Sequence, residues 1–178
     1  MSLKRKDHIE IIEIAFSWLV VMAMFIYGFA KLFQFQGAAE TEKMVKDMTG
    51  MELMWAFYGY SKPFAITLGI FEIIGGLLIL FKPTRLIGCF FTTAILINVI
   101  FQDIYFGVHA GALKAAILYQ VLIVLILWFN KDILIKSIKI LVLSTTNKQS
   151  KIKKPIKIVI AFGLFVVFRV IEYLITIK

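Results

Sequence analysis

The sequence predicts an all-α, polytopic membrane protein: a four-helix transmembrane bundle followed by a fifth C-terminal transmembrane helix. Three observations carry this. The 178-residue chain is 61% hydrophobic, well above the roughly 45–50% apolar content of soluble domains, and its mean hydropathy is +0.90. The apolar residues gather into five runs, each near the length of about 20 residues that crosses a hydrocarbon core. These runs are continuous rather than alternating. Lipid admits only backbones that satisfy their own polar groups, so the runs read as helices and not strands.

The elements follow in order. The first span is Ile11–Phe33, with Glu10 and Glu13 at its start, where carboxylates suit a helix N-terminus. The basic start and Gly28-Phe29-Ala30 also share features with a signal peptide. The run is longer than a signal's apolar core, so it is read as a retained span. In Ala38–Tyr60, Met44, Met48, Met51 and Met54 recur three or four apart, with Val45 and Trp55 beside them. Glu42, Lys43, Lys46 and Asp47 lie opposite. This pattern predicts an amphipathic helix broken near Gly50, lying on the membrane or capping the bundle. Pro63–Phe81 and Leu86–Phe106 are the second and third spans, and a short loop bearing His109 leads to the fourth, Ala112–Phe129. The segment 131–155 is the most basic, with Lys131, Lys136, Lys139, Lys148, Lys151, Lys153 and Lys154. Within it, Ile133–Leu143 reads as an interfacial helix and Ser144–Ser150 as a flexible turn. Ile156–Ile177 is the fifth span. The whole is one membrane domain, 1–178. It comprises a core 1–130 with an insertion 38–60, a basic cytoplasmic loop 131–155 and the last helix 156–177.

The formal charge of +9 is concentrated between the spans, where topology and anionic lipid headgroups account for it. No nucleic-acid-binding motif accompanies it, so nucleic acid is not an expected partner. Lys4, Arg5 and Lys6, then Lys82 and Arg85, then the seven lysines of the basic loop, fall on one side. The positive-inside bias makes that side cytoplasmic, with the N-terminus in and the C-terminus out. Trp55 and Trp128 fit opposite interfacial belts. One cysteine, Cys89, leaves no intrachain disulfide and no CxxC pair, and reads as a small core residue. Two histidines far apart give no metal expectation. GxSxG, HExxH, P-loop and GxGxxG signatures are missing, and whether the chain is an enzyme stays open at this level.

The candidate site rests on polar residues that interrupt the apolar runs. Tyr27, Lys31 and Gln34 share a helical face. Glu72 lies nine residues after Pro63, about 13 Å into the membrane at about 1.5 Å per residue. Gly69 and Gly76 flank it and allow a close helix approach. Asn98 and Gln102 share a face of the third span, with Asp103 beside them. His109 follows in the loop, Gln120 lies on the fourth span, and Arg169 and Glu172 are spaced i, i+3 on the fifth. Lys31, Glu72, Asn98, Gln102, Asp103, His109, Gln120 and Arg169 are thus candidates for one outward-facing pocket that binds a polar headgroup or relays a proton. Plainer roles fit the same residues. Glu72 pairs with Lys31 or Arg169 to fix helix order, His109 is a solvated loop histidine, and Asp103 is a helix-end carboxylate. Lys31 snorkels, Asn98 and Gln120 glue helices, and Arg169–Glu172 is a self-satisfied structural ion pair.

Tyr27-Gly28-Phe29-Ala30-Lys31-Leu32, the run Gly69-Ile70-Phe71-Glu72-Ile73-Ile74-Gly75-Gly76, and the turn Lys82-Pro83-Thr84-Arg85 together resemble the DoxX family of small bacterial membrane proteins, over roughly Ile11–Phe129. The resemblance implies a four-helix bundle in the bacterial cytoplasmic (inner) membrane. It also implies a setting like that of its relatives. These include a subunit of a thiosulfate:quinone oxidoreductase and proteins of thiol stress, with broader cousins in methylamine dehydrogenase maturation and cargo export. Lys31 and Glu72 carry over as matching positions. The function expected on this basis is an accessory or quinone-linked subunit of a membrane redox system. It would contact a quinone or another lipophilic small molecule near Lys31 and Glu72, with a redox partner protein supplying electrons. The alternatives are a non-enzymatic binder of lipid or partner protein, and a scaffold. The insertion Ala38–Tyr60 and the fifth span depart from the family pattern.

Overall fold

The computed structural model describes residues 5–146 and 153–176. The described residues fold into seven α-helices: α1 (Arg5–Ala30), α2 (Gly50–Tyr60), α3 (Lys62–Leu80), α4 (Arg85–Tyr105), α5 (Ala110–Phe129), α6 (Lys131–Thr146) and α7 (Lys154–Thr176). Among the described residues there is no strand. Among the described residues, five helices are long and apolar enough to cross a membrane, covering Lys6–Ala30, Lys62–Leu80, Arg85–Tyr105, Ala110–Phe129 and Lys154–Thr176. The protein is therefore a polytopic helical membrane protein. The exposed faces of its first four spans carry Trp18, Phe29, Ile70, Phe90, Phe101 and Trp128, which a lipid environment accepts and water does not.

The chain divides into two compact units, Met1–Leu134 and Ile135–Lys178. In the first, α1, α3, α4 and α5 form a ring in which α1 packs on α3 and α5, and α4 on the same two. Neighbours run antiparallel. Near one end Gly28 lies against Gly69, while at the other Glu13 meets Arg85. Tyr27 meets Tyr119 at the first end and Phe16 meets Phe129 at the second. The core along the axis holds Val20, Met24, Ile79, Cys89, Leu96, Ile123 and Ile126, each fully or almost fully buried. Helix approach is closest where α1 crosses α3. A methyl group added at Gly69 would lie 2.5 Å from the Gly28 carbonyl oxygen, so the two backbones touch.

The amphipathic segment corrects one expectation. The helix expected across 38–60 forms only from Gly50, and before it the chain makes a single 3₁₀ turn, Val45–Asp47. The cause is a capping box. The Thr49 side chain accepts from the Glu52 N–H at 3.2 Å, and the Glu52 carboxylate accepts from the Thr49 N–H at 2.9 Å. A residue that caps a helix in extended geometry cannot continue it backwards, so the methionine stripe is cut. Met44 is exposed and Met54 is buried. Lys43 pairs with the same carboxylate. With the Thr49 bonds, it holds Glu52 down at about 2. Gly50 is thus the first helical residue rather than a break.

In the second unit, α7 has no buried residue, and Arg169 donates to Glu172 one turn on at 2.5 Å. The stretch Ile133–Leu143 lies within α6, which runs unbroken to Thr146. The turn expected over Ser144–Ser150 therefore starts inside a helix. Its remainder, with Lys148, lies outside the described residues, as do Lys4 and Lys151.

Candidate functional site

The end of the ring that carries Gly28 and Gly69 is closed by α2. Phe106 at the end of α4 abuts Gly50, and Phe35 after α1 abuts Gly59, so α2 stretches across the bundle mouth between them. Its inner face brings Met54 and Tyr58 onto Phe35 and Ala65. The Tyr58 ring stacks on Phe35 at 4.9 Å, with Trp55 edge-on to the same ring at 5.5 Å. Tyr58 also donates its hydroxyl to Gln102 Oε1 at 2.7 Å, tying α2 to α4.

Beneath α2 lies a cavity of about 700 Å³, lined from all four helices of the ring and from α2. Lys31, Glu72, Asn98, Gln102, Asp103 and His109 all line it; Gln120 does not. Lys31 follows the last residue of α1. Its Nζ lies 3.6 Å from Glu72 Oε1, donates to Gln34 Oε1 at 3.1 Å, and sits 5.7 Å from the Phe35 ring centre. Gly69, one turn before Glu72, makes room for the lysine stem: a methyl group there would lie 3.0 Å from Lys31 Cβ. Glu72 is 4% exposed and Asp103 7%. One oxygen of each, Glu72 Oε2 and Asp103 Oδ2, is buried with no hydrogen-bond partner.

The other polar residues are already engaged. Gln102 donates to Asn98, so with Tyr58 these two form a short chain that holds the capping helix. His109 is the N-cap of α5, its Nδ1 accepting from the Gly111 N–H at 3.0 Å. Gln120 donates to Thr93 Oγ1 at 3.2 Å and joins α5 to α4. Arg169 is bonded to Glu172 on its own helix. Among the described residues no cluster of three or more His, Cys, Asp or Glu side chains is arranged to hold a metal ion.

Two features escaped the sequence reading. The cavity walls are aromatic: Phe35, Trp55, Tyr58, Phe64, Phe71 and Phe91 face it. The signal for α2's part was the i, i+4 pair Met54–Tyr58. At the far end, Arg85 donates to Glu13 Oε1 at 2.8 Å and to the Ile79 carbonyl at 3.2 Å, with both side chains largely buried. Here the signal was one charge at the start of each of two apolar runs.

A ring of apolar helices enclosing an aromatic-walled cavity lined by charged residues, under a capping helix, is the build of an integral membrane protein with an internal cavity. Residues 9–114, more than half of the chain, match the family described as "Methylamine utilisation protein MauE". The chain belongs to that family, which is a membrane-protein family. It is also 25% identical over 128 residues to the Bacillus subtilis (strain 168) "Uncharacterized protein YwoB", across 71% of this chain and 82% of that protein. No solved structure matches.

The family match overturns the expected DoxX membership. The residues behind that expectation explain the error. Gly28, Gly69 and Gly76 are where α1 and α3 meet, and Lys31 and Glu72 are the ion pair beside that crossing. Short glycine and charge motifs of this kind report a close helix crossing, which unrelated bundles also need.

Proposed function

We propose that this chain is an accessory membrane protein of a redox system, and that the cavity under α2 holds a lipophilic ligand with a polar head. The buried, unpartnered carboxylate oxygens of two residues that line an aromatic-walled space carry the reading. Buried acceptors without partners are costly, and a ligand that donates to them removes the cost. The cavity falls within the usual range of about 300–1,000 Å³ for ligand sites. The family's name, methylamine utilisation, supports an accessory role in amine-linked metabolism. A quinone is the second reading, favoured by Lys31, whose partly buried ammonium is a ready donor to a carbonyl oxygen.

The test is native mass spectrometry of gently solubilised protein. A reproducible adduct of lipid, amine or quinone mass is expected, weakened in Glu72→Gln without loss of the folded species. A co-purifying protein supports the accessory role. A bare polypeptide in both, in lipid nanodiscs as well as detergent, refutes the ligand site.

The same reading sets N-terminus-in topology in the bacterial cytoplasmic (inner) membrane, with the cavity facing outward. It is supported by Lys82, Arg85 and Lys131, which follow the ends of α3 and α5 away from α2. A membrane-impermeant thiol reagent is expected to label Lys43→Cys on intact cells. Lys131→Cys should react only after permeabilisation; the reverse pattern inverts the topology.

A further inference from the structure

Acidic side chains outnumber basic ones in the cavity lining. That lining carries two carboxylates, Glu72 and Asp103, and one ammonium, Lys31. That ammonium is shared between Glu72 Oε1 and Gln34, leaving Glu72 Oε2 and Asp103 Oδ2 unpartnered. Of the nearby amides, Gln102 donates to Asn98 Oδ1 and accepts from the Tyr58 hydroxyl. His109 Nδ1 is engaged by Gly111. What the site lacks is a hydrogen-bond donor bearing positive charge.

The walls suit the same group. Aromatic faces attract cations within about 6 Å of the ring centre, and the cavity already holds one cation that way, Lys31 over Phe35 at 5.7 Å. Trp55, Tyr58, Phe64, Phe71 and Phe91 offer further rings. The volume of about 700 Å³ exceeds what a small amine fills, so there is room for an apolar chain behind the head.

We infer that the cavity is a site for a primary ammonium group carried on an apolar chain, held by Glu72 Oε2 and Asp103 Oδ2 and bedded on the aromatic wall. Two acceptors need two N–H donors, which a primary ammonium supplies with one to spare and a tertiary or quaternary ammonium does not. Its source is either a free lipophilic amine or the aminoethyl headgroup of a membrane lipid, which present the same chemistry. This inference rests on the cavity being a ligand site.

The test uses the full chain in nanodiscs of phosphatidylcholine and phosphatidylglycerol. Trp55 is one of three tryptophans, so Trp18→Phe and Trp128→Phe make it the sole reporter. n-Octylamine, octyltrimethylammonium and n-octanol are titrated against its fluorescence. Octylamine is expected to bind saturably and roughly tenfold or more tightly than either analogue. Glu72→Gln and Asp103→Asn should each weaken it roughly ten- to a hundredfold, the scale of a hydrogen bond to a charged group. Nanodiscs containing phosphatidylethanolamine separate the sources. A reduced apparent affinity for octylamine identifies the lipid headgroup as occupant, and an unchanged one identifies a free amine. Equal binding of octanol and octylamine to the unaltered pocket overturns the ammonium assignment while leaving a ligand site. No response to any of the three overturns the ligand site itself.

Discussion

Replacing Arg85 with methionine is expected to destabilise the bundle by about 3 kcal/mol or more, the cost of stranding one partner of a buried ion pair. Arg85 and Glu13 are 6% and 13% exposed, and join α4 to α1 across the end opposite the cavity. Arg85 Nε also reaches the Ile79 carbonyl near the end of α3, where helix carbonyls lack intrahelical partners. One side chain therefore ties three helices, and its loss leaves both a carboxylate and a carbonyl unpaired. The double variant Glu13→Leu/Arg85→Met removes the carboxylate as well and is expected to recover most of the loss, because well-packed apolar replacements of buried pairs are often neutral. Thermal unfolding in nanodiscs reads this. The neighbouring Lys82–Glu10 pair is solvent-exposed, so Lys82→Ala should change little. A double variant no better than Arg85→Met alone would show that the charge pair is not what stabilises this end.

The spans were legible because lipid imposes one rule on every residue of a crossing helix. The five apolar runs coincide with the five long helices to within several residues at each end. The first span shows where the rule stops. Its expected end at Phe33 falls at Ala30 in the structure, where the chain leaves the helix through consecutive turns that place Lys31 just beyond it. Composition does not register that change, because Leu32, Phe33 and Phe35 are as apolar as the helix before them.

Partner choice was less legible. Glu72 had two named partners in the sequence, Lys31 and Arg169, and the geometry pairs it with Lys31 while Arg169 bonds Glu172. Helix periodicity fixes which residues share a face but not which helices adjoin. The methionine stripe misled for a local reason. A spacing of three or four residues is a helical signal, but Thr49 and Glu52 satisfy each other's backbone and set the start of α2 inside the stripe. The aromatic wall came from four separate segments, none conspicuous alone, since aromatic residues make up 15% of the chain.

The second large effect is expected at Gly69. Alanine there would place its methyl carbon 2.5 Å from the Gly28 carbonyl oxygen and 3.0 Å from Lys31 Cβ. The first obstacle is backbone, so no rotamer change relieves it and α1 must move off α3. Overpacking of this kind costs about 1–3 kcal/mol, occasionally more, and valine should exceed alanine. Gly163→Ala is the internal reference, because a methyl group there meets nothing within 4 Å; little change is expected. The consequence reaches the site, since Lys31 and Glu72 pair across this crossing. Separating the helices lengthens a contact that is already 3.6 Å. Gly69→Ala should therefore lower both the unfolding temperature and the affinity for octylamine, whereas Arg85→Met, at the opposite end, should lower only the first. Equal stability of Gly69→Ala and Gly163→Ala would mean that the α1–α3 crossing tolerates a wider spacing. A stability loss with unchanged ligand affinity would mean that the cavity does not depend on that crossing.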